Sequence, residues 1–305
     1  MILVTGGTGF VGSGLAAALS LRALPFRLAS RMPINGGAAV GDINGETNWS
    51  LALDGISTVV HLAGIAHRTA ERPSPGECRR VNVDGTLGLA EQAAAAGVRR
   101  IVFVSSIGVL GQTTRPGERL SEASSPDPRT VYARSKHEAE LALSNFCHAS
   151  SLEFVIVRPP LVYGSNAKGN FGRLVDLVAS GWPLPFASVR NRRNMISLPN
   201  LAEALIECVS NPAAANETFV VAEPQPVSTA DVVAAIAAGL SRRPRLVNFP
   251  VKTLGWGLRV AGRSAMADGL LESLEIDSSK IGARLGWMAK GETLENIVNE
   301  TRATS

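Results

Sequence analysis

The first twelve residues, Met1-Ile2-Leu3-Val4-Thr5-Gly6-Gly7-Thr8-Gly9-Phe10-Val11-Gly12, decide the fold. An apolar β-type run, Ile2–Val4, leads without a linker into glycines at positions 6, 9 and 12, and these open an Ala/Leu-rich helical run, Val11–Ala23. Each glycine has a separate reason. Gly6 permits a tight turn, Gly9 lets backbone approach a pyrophosphate, and Gly12 allows the helix to lie close to the strand, while the helix N-terminus contributes partial positive charge. Because the G-x-x-G-x-x-G spacing sits at the first strand-helix junction, it predicts a dinucleotide site contacted by Gly6, Gly9, Phe10, Val11 and Gly12.

Outward from that stretch, short β-rich runs alternate with longer helical ones. Phe26–Ala29 and Thr58–Leu62 precede a helical run at Glu77–Ala96; Ile101–Ser105 precedes Val131–Ala149, and Phe154–Val157 follows. Strands that are apolar throughout, such as Ile101-Val102-Phe103-Val104, are those of a parallel sheet covered on both faces. The pattern predicts an α/β fold: a Rossmann-type doubly wound parallel sheet with a smaller C-terminal substrate-binding α/β region. The pattern loosens after Pro159-Pro160. A dinucleotide-binding domain is therefore expected over 1–165 and a substrate region over 166–305, with some later segments returning to the first domain. Those later segments are helical at Leu198–Ser210, Thr229–Leu240 and Leu294–Glu300 and strand-like at Thr218–Val221.

The chain has 305 residues and a formal net charge of +4 from 30 basic and 26 acidic residues. No Lys/Arg run of the kind that grips nucleic acid is present, and the mild basicity suits an anionic small molecule. Cys78, Cys147 and Cys208 lie more than sixty residues apart and suggest neither a disulfide framework nor a zinc cluster, which fits a reducing cytoplasm. His61, His67, His137 and His148 have no metal-ligand spacing, so no metal is expected. The opening residues read as a first strand rather than a signal peptide, and no apolar run is long enough to span a bilayer. Val251–Leu271 comes nearest, but Lys252, Arg259 and Arg263 interrupt it, so it reads as a buried or surface helix, with membrane docking as the disfavoured alternative.

A dinucleotide site that prefers NAD places a carboxylate at the end of the second strand; here the chain reads Ser30-Arg31. A hydroxyl and a guanidinium welcome a 2′-phosphate, so the expectation leans to NADP over NAD. Asp42 and Ile43 are candidates to bond and pack against adenine. The catalytic candidates are Tyr132 and Lys136, four apart on a helical run and so on one face. The ammonium is expected to stabilise the phenolate and lower the tyrosine pKa toward working pH. Ser105-Ser106 ends the strand Ile101–Val104, where ligands sit in open α/β sheets, and Ser106 is expected to bond the substrate oxygen that gains or loses a proton.

Together these features resemble the extended short-chain dehydrogenase/reductase family, in particular its nucleotide-sugar 4-epimerases and 4-ketoreductases. Further stretches carry the likeness: Val60-His61-Leu62-Ala63-Gly64, Asn82-Val83-Asp84-Gly85-Thr86, and Arg158-Pro159-Pro160-Leu161-Val162-Tyr163-Gly164. The resemblance implies that Leu62, Ala63 and Gly64 lie along the cofactor, that Asn82 supports the active site, and that Pro159 lies beside the nicotinamide. It further implies a nucleotide-diphosphate sugar as substrate, UDP-linked by preference. Asn170, Phe171, Leu184 and Phe186 would grip the nucleotide and Arg193 the diphosphate, with Arg190 and Arg192 as neighbouring alternatives and a homodimer as the candidate assembly. The family's 4,6-dehydratases carry Asp-Glu directly after the catalytic hydroxyl, whereas Ser106 is followed by Ile107-Gly108, which argues against dehydration. The expected activity is 4-epimerisation by hydride transfer at sugar C4, with NAD(P)H-dependent 4-ketoreduction as the alternative. A non-catalytic cofactor-sensing role is a third reading, disfavoured because both Tyr132 and Lys136 are present.

Overall fold

The computed structural model describes residues 1–65, 73–167 and 169–303. The first half of the chain alternates β1 (Ile2–Thr5), α1 (Phe10–Leu21), β2 (Phe26–Ser30), β3 (Ala38–Ala39), α2 (Ser50–Leu53), β4 (Thr58–His61), α3 (Pro75–Cys78), α4 (Gly85–Ala95), β5 (Arg100–Val104), α5 (Val131–His148) and β6 (Glu153–Arg158). The second half supplies β7 (Leu161–Tyr163), α6 (Asn170–Ala179), β8 (Met195–Ser197), α7 (Leu198–Ser210), β9 (Glu217–Val220), α8 (Thr229–Gly239), α9 (Val251–Val260), α10 (Ser264–Leu271), α11 (Ser279–Leu285) and α12 (Thr293–Arg302).

Seven strands form one parallel sheet in the order β3-β2-β1-β4-β5-β6-β9, the Rossmann-type arrangement expected from the sequence. The order reverses between β1 and β4, and Thr5 pairs with His61 at the carboxyl ends of those two strands. Ligands of open α/β sheets bind at such a reversal. Side-chain alternation divides the strands between two cores. Val4, Val60, Val102, Val155 and Val157 pack with Leu15 of α1 and Leu201 and Leu205 of α7 on one face. Leu3, Val59, Ile101, Phe103 and Ile156 pack with Leu89 of α4 and Leu143 of α5 on the other. Both faces are thus covered, which is why the central positions of β1, β4, β5 and β6 are apolar on both sides of the sheet.

Residues beyond Pro160 contribute to both parts of the molecule. Strand β9 joins the main sheet beside β6, and α7 shares the core with α1. The two-stranded parallel sheet β7-β8 lies outside the seven. It is tied in by the buried Glu223, whose carboxylate accepts from the Tyr163 hydroxyl at 2.7 Å, the Ser197 amide at 3.1 Å and Asn200 Nδ2 at 2.6 Å. The 251–271 run is two helices, α9 and α10, rather than one. Among the described residues no helix is long and apolar enough to cross a membrane.

One buried charge pair crosses from α5 to β6. The Arg158 guanidinium donates to Glu140 from Nε at 2.9 Å and from Nη2 at 2.6 Å, a two-point fork in the interior. Removing one partner strands the other charge, so Arg158→Met is expected to lower unfolding free energy by about 3–5 kcal/mol. Urea denaturation measures this directly, and pairing the change with Glu140→Leu should recover most of the loss; a single-variant loss under ~1 kcal/mol would show that the fork contributes little.

Candidate active site

Thr130 caps α5 by accepting from the Ala133 amide at 3.1 Å, and this fixes the first two turns, which carry Tyr132 and Lys136. The Lys136 ammonium donates to the Val104 carbonyl at 2.8 Å and lies 4.2 Å from the centre of the Phe103 ring. Burial pulls its pKa down to about 8, against the opposing pull of Glu140. Tyr132 departs from the sequence expectation. Burial, with Cys78 adding to it, pushes the phenol up to about 12 rather than down. The ammonium is engaged by the end of β5, and loss of water around the phenol outweighs it.

Ser106 follows β5 in extended conformation and caps the short turn Ile107–Val109, its hydroxyl accepting from the Gly108 amide at 3.1 Å. The Ile107 amide donates to the Pro159 carbonyl at 2.9 Å, which sets the serine pair beside Pro159. Ser105 is buried, and its hydroxyl finds no hydrogen-bond partner among the described residues. Val11, Leu62, Gly64, Ser105, Ser106, Tyr132, Lys136 and Pro159 line one cavity of about 210 Å³. Val104, Pro160, Val162 and Leu201 complete its wall. Leu201 arrives on α7, far along the chain, and no local pattern marks it; Val162 lies within a motif that does.

Beside the cavity runs a continuous, largely buried chain of hydrogen bonds. The Ala63 amide donates to Thr5 Oγ1 at 3.2 Å, and Thr5 Oγ1 meets His61 Nδ1 at 2.7 Å. His61 Nε2 meets Thr86 Oγ1 at 3.1 Å, and that hydroxyl donates to the Asn82 carbonyl at 2.7 Å. With Thr86 donating onward, His61 donates from Nε2; burial holds the ring neutral, so Nδ1 accepts from the Thr5 hydroxyl. Asn82 continues the chain: its Nδ2 donates to the Ile65 carbonyl at 3.0 Å and to Ser135 Oγ at 2.9 Å, and its Oδ1 accepts from the Ile65 amide at 2.8 Å. The Ser135 hydroxyl donates to the Tyr132 carbonyl at 2.8 Å. Asn82 reaches these partners from a wide π turn, Arg79–Asp84, ahead of α4.

The glycines fit a dinucleotide. Gly6 has φ +67°, and a Cβ there would lie 2.8 Å from the Ala63 amide nitrogen; a Cβ on Gly12 would lie 2.3 Å from the Gly6 carbonyl oxygen. A Cβ on Gly9 would meet only the Gly6 carbonyl, at 3.2 Å. Phe10 and Val11 begin α1, whose first turn carries no acidic residue. At the expected adenosine end, Arg31 pairs with Asp42 at 2.9 Å in an exposed ion pair, and the Ser30 hydroxyl donates to the Met32 carbonyl at 2.5 Å. Ile43 is half-buried, with its Cγ2 2.6 Å from where a Cβ on Gly85 would lie, so it packs against the start of α4.

Other expected substrate residues are placed elsewhere. Phe171, Leu184 and Phe186 are buried in the C-terminal core, so their side chains serve packing in this structure rather than an open binding surface. Asn170 is exposed at the start of α6. Arg193 does not line this cavity; its Nη1 donates to the Asp268 carbonyl at 3.1 Å and the Glu272 carbonyl at 2.8 Å. Among the described residues there is no cluster of metal-ligating side chains, and His67 lies outside them.

The NAD dependent epimerase/dehydratase family matches residues 2–222, 221 of the 305 positions. The chain belongs to that family. A UDP-glucose 4-epimerase of Vibrio cholerae is 37% identical over 308 residues, covering 98% of this chain and 94% of its own length. The N-acetyl-alpha-D-glucosaminyl-diphospho-ditrans,octacis-undecaprenol 4-epimerase of Escherichia coli O157:H7 is 27% identical, with 82% of this chain and 75% of that protein covered. Among solved structures, MoeE5 in complex with UDP-glucose and NAD is 25% identical with a TM-score of 0.81, covering 99% of this chain and 98% of the other. The family's fold is likewise seen in the Thermus thermophilus UDP-glucose 4-epimerase complex with NAD, 23% identical with a TM-score of 0.79, covering 100% and 99% of the two chains.

The neutral histidine gives the site a measurable signature. Burial, reinforced by Lys136, lowers the His61 pKa from 6.5 to about 3. The unfolded chain therefore takes up this proton below about 6.5 while the folded chain holds out to about 3, so stability falls as pH falls through that window. The slope from this one group is at most ~1.4 kcal/mol per pH unit, or about 2 kcal/mol between about pH 6.5 and 5. Unfolding free energies of wild type and His61→Gln from urea titration should converge by that amount over the same interval; parallel pH profiles would show that His61 titrates freely in the folded protein.

Proposed function

We propose that the protein is an NAD(P)-dependent nucleotide-sugar 4-epimerase acting on a UDP-linked hexose. The observation that carries this reading is the convergence of Ser106, Tyr132, Lys136 and Pro159 on one cavity at the sheet's reversal point. Two relatives that carry the name 4-epimerase support it. When bound, the dinucleotide supplies the acceptor and then the donor of the hydride at sugar C4. The chain's own groups manage the proton. Tyr132 takes it from the C4 hydroxyl and later returns it, Ser106 bonds the same oxygen, and Lys136 supplies positive charge from its seat on the Val104 carbonyl. The Ser105 hydroxyl, which has no partner among the described residues, is a donor reserved for a ligand. Ile107, buried beside the serines, leaves no acid in the place a dehydration would need. The three buried, unpaired cysteines fit a cytoplasmic enzyme.

The direct experiment follows UDP-glucose by NMR without added reductant. Inversion at C4 is expected, and Tyr132→Phe should lose at least ~100-fold in turnover while still binding dinucleotide. Consumption of NADPH with a 4-keto sugar, and no inversion, would instead establish the ketoreductase reading that Ser30-Arg31 favours; loss of water would overturn both.

Cofactor preference turns on one ion pair. Arg31 suits a 2′-phosphate, but Asp42 occupies its guanidinium and sets a carboxylate nearby. Arg31→Ala should weaken NADP relative to NAD by about 1.5–3 kcal/mol, the range for a lost charged hydrogen bond, and Asp42→Ala should shift preference the opposite way. Calorimetric titration of each variant with both dinucleotides decides this, and equal effects on the two would exclude Arg31 from phosphate recognition.

A further inference from the structure

Helix α9 is apolar on both sides, and only one side has a reason within the fold. Val251, Leu254 and Leu258 pack on the C-terminal core, and Gly255 is buried. The outward stripe is Lys252, Trp256 and Val260, four residues apart each time and therefore aligned along the helix. Trp256 is 67% exposed and Val260 69%. Val247 and Phe249, two apart in the segment leading into the helix, are exposed as well. That segment is fastened to the chain around Trp182: Leu184 and Val247 are joined by a backbone hydrogen bond, and Arg245 Nη1 donates to the Gly181 carbonyl at 2.9 Å. Trp182 is itself 73% exposed.

The charge carried by the chain segment that bears this apolar surface is all of one sign. Residues 232–267 contain Arg242, Arg243, Arg245, Lys252, Arg259 and Arg263 and no Asp or Glu. Arg259 is occupied by Asp268 and Glu272 of α10 and its C-terminal flank. Arg243, Lys252 and Arg263 are exposed and form no ion pair with any described residue. Exposed tryptophan beside aliphatic residues and free cations matches the boundary between lipid headgroups and acyl chains, where the ring is buried and the cations meet phosphate. A second copy of the chain would bring the same positive charge to the face. An anionic bilayer supplies both an apolar layer and the missing countercharge.

We propose that the Val247–Arg263 face, centred on Trp256, docks this protein peripherally on anionic lipid surfaces. The inference is independent of the reaction assigned to the cavity.

Co-sedimentation of the full chain with phosphatidylcholine vesicles containing about one-third phosphatidylglycerol tests it, with pure phosphatidylcholine vesicles as comparison. Binding is expected on the anionic vesicles, with a blue shift of tryptophan emission and loss of binding as salt is raised. Each basic residue near such a surface strengthens partitioning about fivefold, so Lys252→Glu with Arg263→Glu should weaken it at least ~25-fold. Trp256→Ser should remove most of the blue shift. Circular dichroism checks that the variants are folded, and the salt dependence of the wild-type chain reads the charge term without any substitution. Absence of binding, or equal binding to neutral and anionic vesicles, would overturn the proposal. So would a concentration-dependent dimer in ultracentrifugation that Trp256→Ser abolishes, since it would assign the face to a second copy.

Discussion

The hydrogen-bond chain Ala63–Thr5–His61–Thr86–Asn82–Ser135–Tyr132 is the constraint from which the site follows. It begins where the parallel sheet changes direction and ends on the helix that carries the proposed acid/base. Every link is short and most are buried, so a break would leave polar groups without partners at roughly 1–3 kcal/mol each. Neighbouring features conform to it. Gly64 must lack a side chain because a Cβ would lie 2.8 Å from Asn82 Oδ1, and Gly6 must turn tightly because Ala63 sits against it. The π turn gives Asn82 its reach to the loop after β4. The network thus holds two loops and one helix in a fixed relation, as a site for a long, two-ended cofactor requires.

The same low-dielectric setting explains the titration behaviour. Burial lowers His61 and Lys136 and raises Tyr132, in each case favouring the neutral form. A neutral His61 suits its two threonine partners, donating to Thr86 and accepting from Thr5. The neutral preference of Tyr132 means that a phenolate needs further positive charge at the moment of reaction, and Lys136, 2.8 Å from the Val104 carbonyl, stands at the wall of the same cavity.

The legibility of the sequence follows the range of the interactions. The first twelve residues, the apolar strands and the Tyr-x-x-x-Lys spacing depend on neighbours within a turn or a strand, and they lead to the seven-stranded parallel sheet found in the structure. His61 and Thr86 stand inside recognisable motifs, but their mutual contact joins positions 25 residues apart and has no periodic trace. Leu201 is invisible for the same reason. In the C-terminal lobe, Phe171, Leu184 and Phe186 look alike in sequence whether they face a ligand or a core, and only tertiary packing distinguishes them. Arg193 carries a charge suited to diphosphate, and sequence does not show that the carbonyls of Asp268 and Glu272 hold its Nη1. The sign of the Tyr132 shift escapes the sequence because spacing reports that Lys136 is near but not how much water is lost around the phenol.

If the buried network is what shapes the cofactor site, nucleotide occupancy must depend on it. The most direct measurement is the amount of nicotinamide dinucleotide released, and identified by mass and ultraviolet spectrum, when purified protein is denatured or reloaded with NAD or NADP and then denatured. Wild type is expected to release close to one equivalent, while Thr86→Val, folded by circular dichroism, releases far less. Full occupancy in Thr86→Val would contradict the role given to the network, and a wild-type chain that takes up neither dinucleotide would contradict the account as a whole.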